Sequence, residues 1–170
     1  MTNTQDTTTQ AQEYADSIAE TLRAWDLISD AWTEAVGHDD EARYAAVWLR
    51  WQVRHGDATQ ARYAPLALSE IDDLGGFEFL EEQGGPGMAW GYGTLDAYTI
   101  THQRPGQKDD VRGAEFVVSL GGPNCYVKND GADSSTITVY WGRDTGTAHA
   151  SCQAVNDAAE AIMDAAAYGY

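Results

Sequence analysis

The hydrophobic period of this chain changes once along its length, and the change limits what it can fold into. Up to about Leu74 apolar side chains recur every three or four residues, the spacing of helices. From Thr94 to Arg143 they alternate, the spacing of strands. Between lies a stretch punctuated by Gly75-Gly76, Gly84-Gly85-Pro86-Gly87, Gly91 and Gly93. Helices first, strands second and a last helix together predict an α+β fold. An N-terminal helical hairpin would pack with an antiparallel meander of three to four strands and a C-terminal helix.

The first helix is predicted from about Thr9 to Val36. Tyr14, Ile18, Leu22, Trp25, Ile28, Trp32 and Val36 fall on one stripe; Glu13, Asp16, Glu20, Asp26, Asp30 and Glu34 fall opposite. Gly37-His38 ends it. Asp39, Asp40 and Glu41 then suit the start of a second helix, and Arg54 and His55 suit its end. Tyr44, Val47, Trp48 and Trp51 form its apolar stripe, beside a face bearing Arg43, Arg50 and Arg54. Four tryptophans are thereby available for the seam of an αα-hairpin. Pro65 leaves the third helix open: it covers Ala58 to Tyr63, or resumes after the proline and runs to Leu74.

Strands are predicted at Thr94 to Arg104, Glu115 to Leu120, Asn124 to Lys128 and Ser135 to Arg143. A last helix follows from about Cys152 to Tyr168, with Ser151 as its cap. The organisation reads as a polar, disordered N-terminus (1–10), a helical region (11–74), a Gly-rich loop region (75–93) and a sheet with its terminal helix (94–170), forming one compact unit. A chain of 170 residues with 43% apolar residues, six Trp and nine Tyr can fill an ordinary core.

Charge limits the partners. The chain holds 27 Asp and Glu against 10 Lys and Arg, a formal net of -17. Such a surface repels DNA, RNA and anionic membranes and attracts basic protein surfaces. The distribution is uneven: residues 1–41 carry ten acids and one base, 42–69 four arginines and one acid, and 70–82 six acids and no base. Candidate partner-binding residues are Glu70, Asp72, Asp73, Glu78, Glu81 and Glu82, with Glu20, Asp30 and Glu34 of the first helix second. Carboxylates one or two helical turns apart recur at roughly 5–11 Å, a scale comparable with successive phosphates. The expected partner is thus a basic, nucleic-acid-binding protein, with no direct binding of nucleic acid or membrane. Salt adaptation competes with this reading, because it also favours an acid-rich, Lys-poor composition and the chain has only two lysines, Lys108 and Lys128. So does self-association, in which the tryptophan-lined hairpin is a homodimer interface and the acids maintain solubility.

Catalytic patterns are sparse. The chain has no Walker loop, HExxH, CxxC or GxSxG, and no two of His38, His55, His102 and His149 are spaced as a helical metal pair. We therefore expect no catalytic residues, metal or cofactor. An enzyme in which Cys125 pairs with His102 or His149 is the less favoured alternative. Cys125 and Cys152 are expected to be small buried residues rather than a disulfide framework. With neither a membrane-spanning run nor an export signal in the sequence, the cytoplasm is the expected location.

The segment EFVVSLGGPNCYVKND, then STITVYWGR and a helix, resembles a small phage- and plasmid-borne family in which a strand ends in Ser-x-Gly-Gly-Pro and a later one in Trp-Gly. The resemblance covers about residues 115–168 and rests on Ser119, Gly121, Gly122, Pro123, Trp141 and Gly142. It implies an accessory protein of mobile elements that counters a host defence such as restriction or CRISPR interference, acting in the host cytoplasm. Joined to the charge, it predicts a small acidic inhibitor, a DNA mimic, of a host nucleic-acid-processing protein.

Overall fold

The computed structural model describes residues 4–102, 110–131 and 134–168. In chain order the elements are α1 (Thr4–Ala35), α2 (Glu41–His55), α3 (Ala58–Leu74), α4 (Phe77–Gln83), α5 (Pro86–Tyr92), β1 (Asp96–His102), β2 (Asp110–Ser119), β3 (Asn124–Asn129), β4 (Ser135–Trp141), β5 (Asp144–Ala150) and α6 (Gln153–Tyr168). The fold is α+β, with five antiparallel strands in the order β1-β2-β3-β4-β5 rather than the expected three or four.

The strand missed in the sequence is β5, DTGTAHA, and its composition explains both the omission and its role. Its inward residues Gly146, Ala148 and Ala150 are small because α1 lies directly on them. A Cβ at Gly146 would collide with the backbone of Ala11 and Gln12. On the helix side, Ala11, Ala15 and Ala19 form an i,i+4 ladder with almost no exposed area. Gln12 completes the contact: its Nε2 donates to the Thr147 carbonyl (2.9 Å), and its Oε1 accepts from the Thr147 N–H (3.2 Å).

Helix α1 is therefore central rather than one-sided. It touches β4 and β5, α2 and α3, and α5 and α6. Leu22, Trp25 and Ile28 are buried as expected, but so are Ala24, Leu27, Ala31 and Ala35, while Val36 is exposed. The helix starts at Thr4, so residues 4–10 are helical rather than disordered; residues 1–3 lie outside the described residues.

The stripe predicted for α2 is displaced. Ala42, Ala45, Leu49 and Gln52 are the buried residues, whereas Tyr44, Val47 and Trp51 are exposed and Trp48 is half-buried. Small side chains at the seam let α2 lie close to α1 and α3, and large rings would hold the helices apart. Asp40 caps α2 by accepting from the Arg43 N–H (3.0 Å). Helix α3 is continuous through Pro65, which is solvent-exposed, so the lost hydrogen bond and the ring both face water. Asp57 and Gln60 form its capping box.

The supposed loop region 75–93 holds two helices. Gly75 (φ 97°) closes α3 and Gly76 (φ 104°) opens α4; Gly84 (φ 86°) closes α4 and Gly85 (φ 120°) opens α5. Each Gly-Gly pair is a helix-to-helix corner, requiring positive φ twice in succession. The last helix starts at Gln153, so Cys152 instead of Ser151 holds the capping position, its carbonyl accepting from the Asn156 N–H (3.1 Å). Asp26 of α1 also accepts from the Gln153 N–H (2.9 Å).

The inner sheet face carries Ala114, Phe116, Cys125, Val127, Ile137 and Val139, all buried. Phe116 meets Trp90 of α5 edge-to-face at 4.8 Å. One polar hub is buried there. Asn129 donates to Asn156 of α6 (2.8 Å) and to Ser135 (3.4 Å), and accepts from the Gly131 N–H (2.8 Å).

Replacing Gly146 by Ala will destabilise the protein by at least about 2 kcal/mol, because neither backbone can withdraw without unseating α1. Gly122→Ala, where an added Cβ meets nothing within 4 Å, will stay within about 1 kcal/mol of wild type, both variants being compared with it by urea titration.

Candidate acidic binding surface

The predicted acids do not form a single patch. Glu20 is consumed by the fold: its Oε1 accepts from Arg23 (2.6 Å) and the Tyr63 hydroxyl (3.2 Å), and its Oε2 from Arg62 (2.9 Å). The α1–α3 packing places these two α3 side chains on it, so Glu20 leaves the candidate set. Glu70 is half-buried and receives a hydrogen bond from Trp25. Burial raises its pKa from the ordinary 4.5, Asp73 adds a smaller push, and the Trp25 hydrogen bond opposes both.

Asp72, Asp73, Glu78, Glu81 and Glu82 remain, wrapped around the Gly75-Gly76 corner between α3 and α4, and all five are exposed. Asp72 and Glu78 line a cleft of about 320 Å³ with Asp40, Arg43 and Arg50, so that end of the acidic corner meets the cationic side of α2. Glu81 and Glu82 stand clear of it in the last turn of α4. Four ion pairs are formed among the described residues, and their acids are Glu20, Asp110 and Asp130; none is at the corner.

Asp30 and Glu34 form a separate ridge on α1. With Asp26 they are spaced four residues apart, about 6 Å of rise each. Asp30 is raised above its ordinary 3.8, first by burial and then by Asp26 and Glu34. Asp26 itself serves the start of α6, where it and Asp157 both act on Cys152.

The Cys125–His149 pairing is ruled out by the pleat. Cys125 faces the covered side of the sheet, opposite Val139, whereas His149 is exposed on the other side, 3.3 Å from the Thr136 hydroxyl. His102 ends β1, and its side chain lies outside the described residues. Both cysteines are free and buried; burial pushes Cys125 up to about 11 and Cys152 to about 12. Among the described residues no three His, Cys, Asp or Glu are grouped to hold a metal ion, and no helix is long and apolar enough to cross a membrane.

The motif residues of the resemblance do turn work here. The Ser119 hydroxyl donates to the Pro123 carbonyl (2.8 Å), and the Gly121 N–H donates to the Asn124 side chain (3.1 Å). Gly142 (φ 66°) opens the two-residue turn between β4 and β5. Comparisons with protein-family models, curated proteins and solved structures gave no match.

Sequence reasoning missed two surfaces. One is the outward face of α2, assigned to the core because its Val and Trp are apolar. The second is the open sheet face with Tyr98, Tyr126 and Tyr140, where Tyr126 and Tyr140 meet edge-to-face at 5.9 Å. Period-two alternation of tyrosine with small apolar residues was the available signal for this face.

Because Asp30 holds its proton more tightly in the folded chain, the proton's stabilisation is full below the ordinary 3.8 and is lost as pH rises through the raised value. At pH 7 the ionised group costs stability, so Asp30→Asn will stabilise by a few tenths of a kcal/mol, up to about 1. The gain will vanish in melts below pH 3.8. A thiol-exchange reagent at pH 8 will leave Cys125 and Cys152 unmodified in the native protein and react with both in denaturant.

Proposed function

We propose that this protein is a non-enzymatic acidic inhibitor that occupies a cationic, nucleic-acid-binding surface of another protein, in the cytoplasm of a host cell. The observation that carries this reading is the α3–α4 corner. Five carboxylates within eleven residues, Asp72, Asp73, Glu78, Glu81 and Glu82, sit on two helices joined by a two-glycine bend, and none is in an ion pair among the described residues. Like charges held this close work against the compact state, and an arginine- or lysine-rich partner relieves the repulsion. The rigid helical frame fixes their spacing before contact, so little ordering entropy is lost on docking. The resemblance over residues 115–168 adds the setting, a mobile element countering host defence.

Mechanistically, Asp and Glu would pair with the Arg and Lys that otherwise hold phosphates. Association is then fast and falls steeply with ionic strength. The half-buried Glu70 behind the corner makes binding proton-linked. An approaching cation lowers its raised pKa, so docking releases protons and weakens as the solution is acidified.

The test is competition. DNA binding by purified restriction and CRISPR effector proteins is measured with and without this protein, across a salt series. Displacement of DNA from at least one of them is expected. A variant carrying Asp72→Asn, Asp73→Asn, Glu78→Gln, Glu81→Gln and Glu82→Gln will lose it by about tenfold or more. Full inhibition by that variant, or no displacement from any effector at any salt, overturns the proposal.

A further inference from the structure

We propose that the outward face of α2 is a self-association surface, on which a second copy of this chain packs its own α2 antiparallel across a two-fold axis near Val47. The inference rests on a different helix from the inhibitor reading, with which it shares only Asp72 and Glu78, and the substitutions that test it lie outside that reading's five carboxylates.

The face is set by helical geometry. Ala45 and Leu49 point into the molecule, so Arg43, Tyr44, Val47, Arg50, Trp51 and Arg54 point out of it. Val47 is 57% and Trp51 53% exposed, and Tyr44 is exposed beside them. Two exposed ring stacks flank this centre, His38 on Tyr44 at 3.6 Å and Trp51 on His55 at 4.8 Å. The three arginines are in no ion pair among the described residues.

Charge complementarity selects the occupant. The helix is polar end to end: Asp39, Asp40 and Glu41 outnumber Arg43 at its start, with Asp72 and Glu78 across the cleft, and Arg50, Arg54 and His55 gather at its finish. Fifteen residues span about 22 Å, and the acidic and basic ends lie almost symmetrically about Val47. A copy rotated by 180° about that point sets each basic end on the second copy's acidic end, twice, with Val47 meeting Val47 at the axis and Trp51 lying over Arg43 in the first turn of the second α2. This is the self-complementarity that a two-fold contact requires. A polyanion fits the face less well: it gains three arginines but meets the acidic start of α2 and the carboxylates across the cleft, with no basic end of its own to set on them.

Sedimentation equilibrium on the full chain over a wide concentration range decides the matter. A monomer–dimer equilibrium is expected. Arg54→Glu alone and Asp39→Arg alone will each raise the dimer dissociation constant by about tenfold or more, since each reverses two symmetry-related pairs. The double variant will return to within about threefold of wild type, a rescue that loss of folding cannot mimic. Val47→Glu will leave only monomer, with an unchanged circular dichroism spectrum. A monomer at every concentration overturns the proposal, as does a dimer indifferent to these substitutions. Binding of heparin that Arg54→Glu abolishes in a wild type that stays monomeric assigns the face to a polyanion and overturns it equally.

Discussion

The fold depends on how closely α1 can approach β5. A helix normally stands off a sheet by the length of the side chains between them. Here that layer is reduced to alanine on the helix and to glycine and alanine on the strand. Dispersion forces fall quickly with distance, so near contact of two backbones compensates for the missing large side chains. The far end of the same sheet face is filled differently, by rings such as Phe116 and Trp90 beneath α5 and α6. Small residues at one end and aromatic ones at the other make the inner layer a wedge. Helix α1 therefore touches nearly every other layer of the molecule.

Legibility in the sequence followed side-chain size. Strands β2, β3 and β4 could be read because their inward positions are Phe, Val and Ile. Strand β5 could not, because a close-packed position calls for Gly and Ala, which carry little hydrophobic signal. The same ambiguity misled the reading of α2: Ala42, Ala45 and Leu49 share one helical spacing, Tyr44, Val47 and Trp51 another, and bulk pointed to the wrong one. Glycine pairs at 75–76 and 84–85 resemble flexible linkers in composition, yet here they are rigid corners. Of the candidate site, the carboxylates were visible as charges, but their division between structure and surface was not. Glu20 is held by residues more than forty positions away, a pairing no local pattern encodes.

The acidity itself separates into unlike parts. Some carboxylates are structural: Asp40 and Asp57 cap helices, Asp26 serves the first turn of α6, and Glu20 bridges α1 and α3. Others crowd a neighbour, as Asp26 and Glu34 do Asp30, whose proton burial and their charge together help to hold. A cation can relieve repulsion only at carboxylates that the fold does not already use, such as the exposed ones of the α3–α4 corner. Total charge thus overstates the electrostatic surface, and the outward face of α2 interrupts it with arginine.

The double hydrogen bond from the Gln12 carboxamide to Thr147 has a further consequence. A peptide strand seeking to extend the sheet at β5 would need that N–H and that carbonyl, and both are already taken. Fibrous polymerisation requires two open flanks, so that each added subunit exposes a fresh one. A single side chain thus removes the central pairing position of this edge strand and makes edge-to-edge growth through β5 less favourable.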